Sequence, residues 1–116
     1  MNKSAEGKLG ETLAVDFLSK KGYRILERNF RYGRCEIDII AGKGPMLVFV
    51  EVKARRSTAY GEPVEAVTPV KCRRLRRAAG GYLALRSIDD RPCRFDIVAI
   101  RYAGGVPTVE HYEDAF

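Results

Sequence analysis

The chain has 116 residues, 46% of them hydrophobic and 31% charged, the mix of one folded globular domain and not of a disordered or fibrous chain. A surplus of 21 Lys+Arg over 15 Asp+Glu, a formal +6, points towards polyanions such as nucleic acid or an acidic membrane surface. A chain of this length can bury a core of its own, so it does not depend on disulfides or a structural metal to fold.

The first element is a helix predicted over residues 4–21. Leu9, Leu13, Ala14, Phe17 and Leu18 recur at helical spacing, Ser4 is a suitable N-cap, and Gly22 is a stop after Lys20 and Lys21. Residues 23–32 read as a strand from Tyr23, Phe30 and Tyr32, although Ile25 next to Leu26 breaks the alternation. After a turn at Gly33, residues 35–41 and 46–54 give two further strands, joined by a hairpin connection over residues 42–45. Residues 55–69 are polar, with Gly and Pro, and read as a loop. A second helix follows over residues 69–86, with Pro69 in its first turn and an apolar stripe of Cys72, Leu75, Ala79, Tyr82 and Leu83. Gly80 and Gly81 each weaken it by about 1 kcal/mol unless they admit a close neighbour. Residues 93–102 form a fourth strand and residues 107–113 a short fifth. The order is α-β-β-β-α-β-β in a single domain over residues 1–116, an α/β chain.

Successive side chains on a strand face opposite ways. Leu47, Phe49, Glu51 and Lys53 therefore share one face of the third strand, and Val48, Val50 and Val52 the other. On the second strand Glu36, Asp38 and Ile40 stand opposite Ile37, Ile39 and Ala41. A hairpin about residues 42–45 places Asp38 across from Val48 to Val50, one step from Glu51. Asp38, Glu51 and Lys53 are thus expected to gather at the strand ends. Charges in such apolar segments cost several kcal/mol unless they are paired. Two neighbouring carboxylates repel, and a hard cation relieves them. Mg²⁺ (or Mn²⁺) on Asp38 and Glu51, with the Val52 carbonyl as an extra ligand, suits this donor set. Lys53 beside it would hold a water in line for attack on a phosphate, or take its proton. A structural ion network, with Lys53 paired to Glu51 or Asp38, is the alternative.

An Asp followed thirteen positions later by Glu-x-Lys resembles the PD-(D/E)xK motif of the restriction-endonuclease-like nucleases, with Ile37 in place of the motif's proline. The element order is similar as well. The resemblance implies a restriction-endonuclease-like fold, with a mixed central sheet flanked by helices. In the Holliday-junction-resolvase branch a helix-borne Glu joins the metal site, and Glu11 is the position that matches it. A homodimer is implied by the same likeness. More closely, "GETLAVDFLSKKGYRILERNFR", "EIDIIA", "LVFVEVKAR", "GEPVEAV" and "RFDIVAI" resemble the YraN-like family of small bacterial proteins over nearly the whole chain. Arg34-Cys35 departs from the pattern, where the motif would follow a glycine directly, and is expected to lie clear of the site.

Phosphate binding needs cations near the metal. Arg55 and Arg56 follow the Glu-x-Lys strand directly. Lys71 opens the second helix, and Arg74 follows in the run Lys71, Arg73, Arg74, Arg76, Arg77. Tyr60 is a loop residue able to stack on an unpaired base. Glu36 reads as a solvated neighbour and Asp96 as an arginine partner. His111 is the only histidine, which argues against a histidine metal site or triad. No phosphate-cradling glycine motif occurs, so no nucleotide cofactor is expected. The 3 cysteines lack Cys-x-x-Cys spacing, which excludes a zinc ribbon and a disulfide framework. With no apolar run of membrane-spanning length and no signal-like opening, a cytoplasmic location is expected. The function these features imply is Mg²⁺-dependent hydrolysis of DNA, branched DNA in particular. The alternatives are a non-catalytic nucleic-acid-binding module and a protein-binding adaptor in DNA repair or recombination.

Overall fold

In the computed structural model the chain is described over residues 5–55, 68–102 and 104–116. Seven elements follow in the expected order: α1 (Ala5–Lys20), β1 (Arg24–Tyr32), β2 (Cys35–Lys43), β3 (Met46–Arg55), α2 (Pro69–Leu85), β4 (Cys93–Arg101) and β5 (Thr108–Tyr112). The five strands form one sheet in the order β1-β2-β3-β4-β5. Three pairings are antiparallel, and β3 with β4 is parallel. Parallel neighbours need a crossover, and α2 supplies it. The chain is an α/β fold with a mixed sheet between two helices. Among the described residues no helix is long and apolar enough to cross a membrane.

The caps explain where the helices stop and start. Gly22 ends α1 at φ +91, with its own N–H on Ser19 O at 3.0 Å and the Tyr23 N–H on Leu18 O at 3.0 Å. This left-handed closure suits glycine. At α2, Thr68 Oγ1 accepts the Lys71 N–H at 3.2 Å and Pro69 takes the first turn. Ser4 lies outside the described residues.

The two helices cover opposite faces. Against α1, Ala14 and Leu18 meet Ile39, Ala41, Val48, Val50, Val98 and Ile100. Against α2, Leu75, Ala78, Ala79 and Tyr82 meet Ile37, Ile40, Leu47 and Phe49. Each fully buried Val, Leu, Ile or Phe among them contributes about 1.5–3 kcal/mol. Leu9, expected on the buried stripe of α1, is 51% exposed. Gly10 and Glu11 are buried instead, because a Cβ on Gly10 would already stand 3.2 Å from Ala54 Cβ. The helix comes so near β3 that the neighbouring Leu9 is turned outwards.

Gly81 is the close-approach position and Gly80 is not. A Cβ on Gly81 would lie 2.3–2.5 Å from the Tyr32 ring, whereas one on Gly80 meets nothing within 4 Å. The ambiguity at Ile25–Leu26 is a register shift between Ile25 and Glu27, which leaves Leu26 as an extra, 41% exposed residue.

The β2–β3 connection is tighter than expected. Lys43 pairs with Met46 and Gly42 with Leu47, so Gly44 and Pro45 alone make the turn. Gly44 sits at φ +56, the positive φ that the first position of a two-residue hairpin requires. Extended outwards, this register brings Asp38 level with Glu51 itself and not with Val48 to Val50.

The strict alternation expected for β2 also fails. Ile39 and Ala41 face α1, but Ile37 and Ile40 both face α2. The phase changes at Asp38. Across the ladder, Asn29 stands between the pairs Arg28↔Ile39 and Phe30↔Ile37 and has φ +54. A left-handed residue in a strand turns the following side chains to the other face, and asparagine tolerates it best among residues with a Cβ. The β1–β2 ribbon therefore kinks at the level of Asp38.

Candidate functional site

The paired register of β2 and β3 runs from Lys43↔Met46 to Ile39↔Val50 and ends there. Beyond it, the Asp38 carboxylate takes over, with Oδ2 accepting the Val52 N–H at 2.8 Å. The N–H and C=O of one strand residue leave by the same edge, so the Val52 carbonyl is directed into the same gap. Glu51 enters from the α2 face. Its Oε2 lies 2.7 Å from Lys71 Nζ and 3.3 Å from Lys53 Nζ. Thr68 fixes the first turn of α2 and so places Lys71. Together these groups line an open cleft of about 600 Å³, with Arg34 and Arg74 at its margin.

The cleft is electrostatically crowded. Burial pushes the Glu51 carboxyl above its ordinary range, and the charge and hydrogen bonding of Asp38 push it further, against the pull of Lys71 and Lys53. Lys53 is lowered, first by burial and then by its contact with Lys71. Lys71 is raised: burial works to lower it, but hydrogen bonding to Glu51 and Lys53 and the two carboxylates prevail. Two carboxylates in a partly dry cleft thus demand positive charge, and two lysines supply it.

The donor set fits a hard divalent cation: two carboxylates and a directed carbonyl, the kind of partial shell that suits Mg²⁺, which keeps several of its waters. Among the described residues no group of three or more His, Cys, Asp and Glu gathers to form a full cage.

Glu11, the helix-borne candidate, stands on the α1 face. It is 2% exposed, lies 3.8 Å from Arg28 Nη2, and does not line the cleft. Arg55 ends β3, its carbonyl accepting the Tyr102 N–H at 3.0 Å, and it too is outside the cleft lining. Arg56, Ser57 and Tyr60 fall outside the described residues. Arg74 is exposed at the margin, while Lys71 is bonded to Glu51. Glu36 is partly buried beside Arg31 at 3.7 Å and lines the cleft edge.

Arg34 and Cys35, expected clear of the site, line it. Arg34 lies in the β1–β2 turn and Cys35 opens β2; no periodicity in the sequence carries their place beside the cleft. His111 is not isolated. Lys21 Nζ donates to its Nδ1 at 2.8 Å, so Nε2 carries the proton and donates to Asp96 Oδ2 at 2.7 Å. Asp96, fully buried, also accepts from Arg94 at 2.8 Å and from the Asp114 N–H at 3.0 Å, a closed network that ties β5 and the C-terminal segment to β4.

Residues 10–100 match the model of a family described as Uncharacterised protein family UPF0102. The chain belongs to this family. A UPF0102 protein of Geotalea daltonii is 50% identical over 95% of this chain and 87% of its own length. One from Geobacter metallireducens is 48% identical over 99% of the chain and 93% of its own. Another, from Chlorobium limicola, is 46% identical over 95% and 90%. This UPF0102 chain is thus similar along its length to bacterial proteins of the same size.

Proposed function

We propose that the chain is a nucleic-acid-binding protein of the restriction-endonuclease-like class, related to the Holliday junction resolvases, which hydrolyses DNA phosphodiesters with Mg²⁺ or Mn²⁺. The observation that carries this reading is the meeting of Asp38, Glu51 and Lys53 at the point where the β2–β3 pairing ends. Asp38, Glu51 and the Val52 carbonyl would hold the ion, which would supply Lewis-acid polarisation of the phosphate. Lys53 Nζ, 3.3 Å from Glu51, would hold a water by hydrogen bonding. Hydrolysis joins the water oxygen to phosphorus, and the departing oxygen takes a proton. Arg34, Arg74 and Lys71 are the cations of the cleft available to phosphate oxygens. Arg55, Arg56 and Glu11 are further candidates, and a homodimer acting on branched DNA fits the same class.

A second reading has one observation in its favour. Lys71 sits only 2.7 Å from Glu51 Oε2 and the Val52 N–H 2.8 Å from Asp38 Oδ2, so each carboxylate has a protein partner unaided, as in a binding module that does not cut. The two readings part on one experiment: purified parent and Lys53→Ala proteins incubated with a labelled four-way junction in Mg²⁺ or Mn²⁺. The nuclease reading expects cleavage by the parent and at least about a hundredfold loss in the variant. Junction binding without cleavage by either protein supports the module. Equal cleavage by both places the activity elsewhere.

A further inference from the structure

Beside the cleft, and continuous with it through Arg34, Cys35, Val70 and Arg74, lies a second groove of about 630 Å³. Tyr32, Gly33, Arg73 and Arg77 complete its lining. Among the described residues four arginines face it and no carboxylate does. All four are exposed, and none forms an ion pair among the described residues. Arg73 and Arg77 are one helical turn apart, a spacing at which like charges disfavour the helix. Unbalanced positive charge of this density calls for an anion with more than one charge.

The aromatic residue says which anion. Tyr32 is 40% exposed, yet its position is set by the helix, because its ring occupies the space that a side chain on Gly81 would need. A ring so anchored, open to the groove and flanked by arginines, is the combination that receives an unpaired base and its phosphates. A duplex keeps its bases stacked and unavailable. An acidic peptide offers the charge but has no use for the ring. A lone nucleotide would not need a groove that runs on into the cleft.

We propose that this groove binds the unpaired strand adjoining the cleft, with phosphates on Arg73 and Arg77 and one base stacked on Tyr32. The proposal rests on the nucleic-acid reading above and names the substrate feature that the site selects: a single-stranded arm next to the phosphate in the cleft.

The test uses the full chain and two fluorescent DNAs, a duplex with a single-stranded thymidine flap and a blunt duplex of equal length, titrated over a range of salt. Arg73→Ala/Arg77→Ala should weaken flap binding at least about tenfold and flatten its log–log salt slope by about 1.4, two contacts at roughly 0.7 each for a single strand. Blunt-duplex binding should change less than about twofold. Tyr32→Ala should weaken flap binding by about five- to 150-fold, and Tyr32→Phe, which keeps the ring, should restore it. Should Tyr32→Ala lose its folded circular dichroism, the exposed arginine pair still provides the readout. So does photocross-linking of a 5-iodouracil flap, expected at Tyr32. If the parent binds DNA but these variants match it in affinity and slope, the groove proposal is overturned and the cleft reading stands. If the parent binds no DNA at low salt, both fall. Competition by polyglutamate as effective as by oligothymidine of equal charge also overturns the proposal.

Discussion

Gly80 and Gly81 are adjacent in α2, yet alanine at each should move stability in opposite directions. In a helix interior, alanine gains about 0.8–1 kcal/mol over glycine. Gly80 is exposed and a Cβ there meets nothing within 4 Å, so Gly80→Ala keeps that whole gain. For a domain of this size it amounts to a rise in Tm of about 4 °C. A Cβ on Gly81 lands 2.3 Å from Tyr32 Cδ1 and 2.5 Å from two further ring carbons, where ordinary contact begins near 3.4 Å. The ring must retreat by about 1 Å, and forcing an atom into an occupied space costs about 1–3 kcal/mol. Set against the propensity gain, Gly81→Ala loses about 1 kcal/mol. The two variants should therefore differ by about 2 kcal/mol, or about 8 °C in Tm. Urea unfolding followed by circular dichroism measures the difference, with unchanged m-values as the control for the unfolded state. Equal stabilisation by both alanines would show that Tyr32 does not rest on Gly81, and would remove the anchor from the proposed stacking site.

Further outcomes follow from the buried charges. Asp96 is held below its ordinary pKa: burial raises it, but hydrogen bonds from His111, Arg94 and the Asp114 N–H outweigh burial. A depressed carboxylate contributes stability that is present above its unfolded pKa, near 3.9, and lost as pH falls from there through the folded value. Acid unfolding should accordingly steepen below about pH 4, and Asp96→Asn should flatten that limb. At pH 7 Asp96→Ala should cost about 3 kcal/mol by removing the buried acceptor that Arg94, His111 and the Asp114 N–H share; a loss below about 1 kcal/mol in urea would contradict the network. At the cleft, Mn²⁺ binding followed by electron paramagnetic resonance should weaken at least about tenfold in Asp38→Asn. It should tighten in Lys71→Met, because Lys71 competes for Glu51 Oε2 at 2.7 Å. Weaker Mn²⁺ binding in Lys71→Met would refute that competition.

Much of this architecture is legible from neighbours along the chain. Gly22 stops α1, Pro69 opens α2, and the period of two sets Glu51 and Lys53 on one face of β3, because caps and strand alternation are local and depend on a few consecutive residues. The expected face pattern of β2 fails at Asp38 for the opposite reason. The phase is reset by Asn29 on the neighbouring strand, and a cross-strand kink leaves no mark on β2's own sequence. The β2–β3 turn is two residues shorter than the expected connection over residues 42–45, because Gly42, a turn glycine by composition, pairs with Leu47 in the ladder.

The sequence by itself determined that Asp38, Glu51 and Lys53 would come near one another, since a hairpin and its alternation suffice for that. Only the tertiary structure decided what surrounds them. Lys71 reaches Glu51 because α2 crosses the sheet to make β3 and β4 parallel. Arg34 lines the cleft from the β1–β2 turn, next to Lys71 and Arg74 of α2. Tyr32 and Arg77, forty-five positions apart, share a groove because Gly81 has no side chain to hold the ring away. Such contacts depend on packing between elements distant in sequence, and periodicity within a single element does not record them.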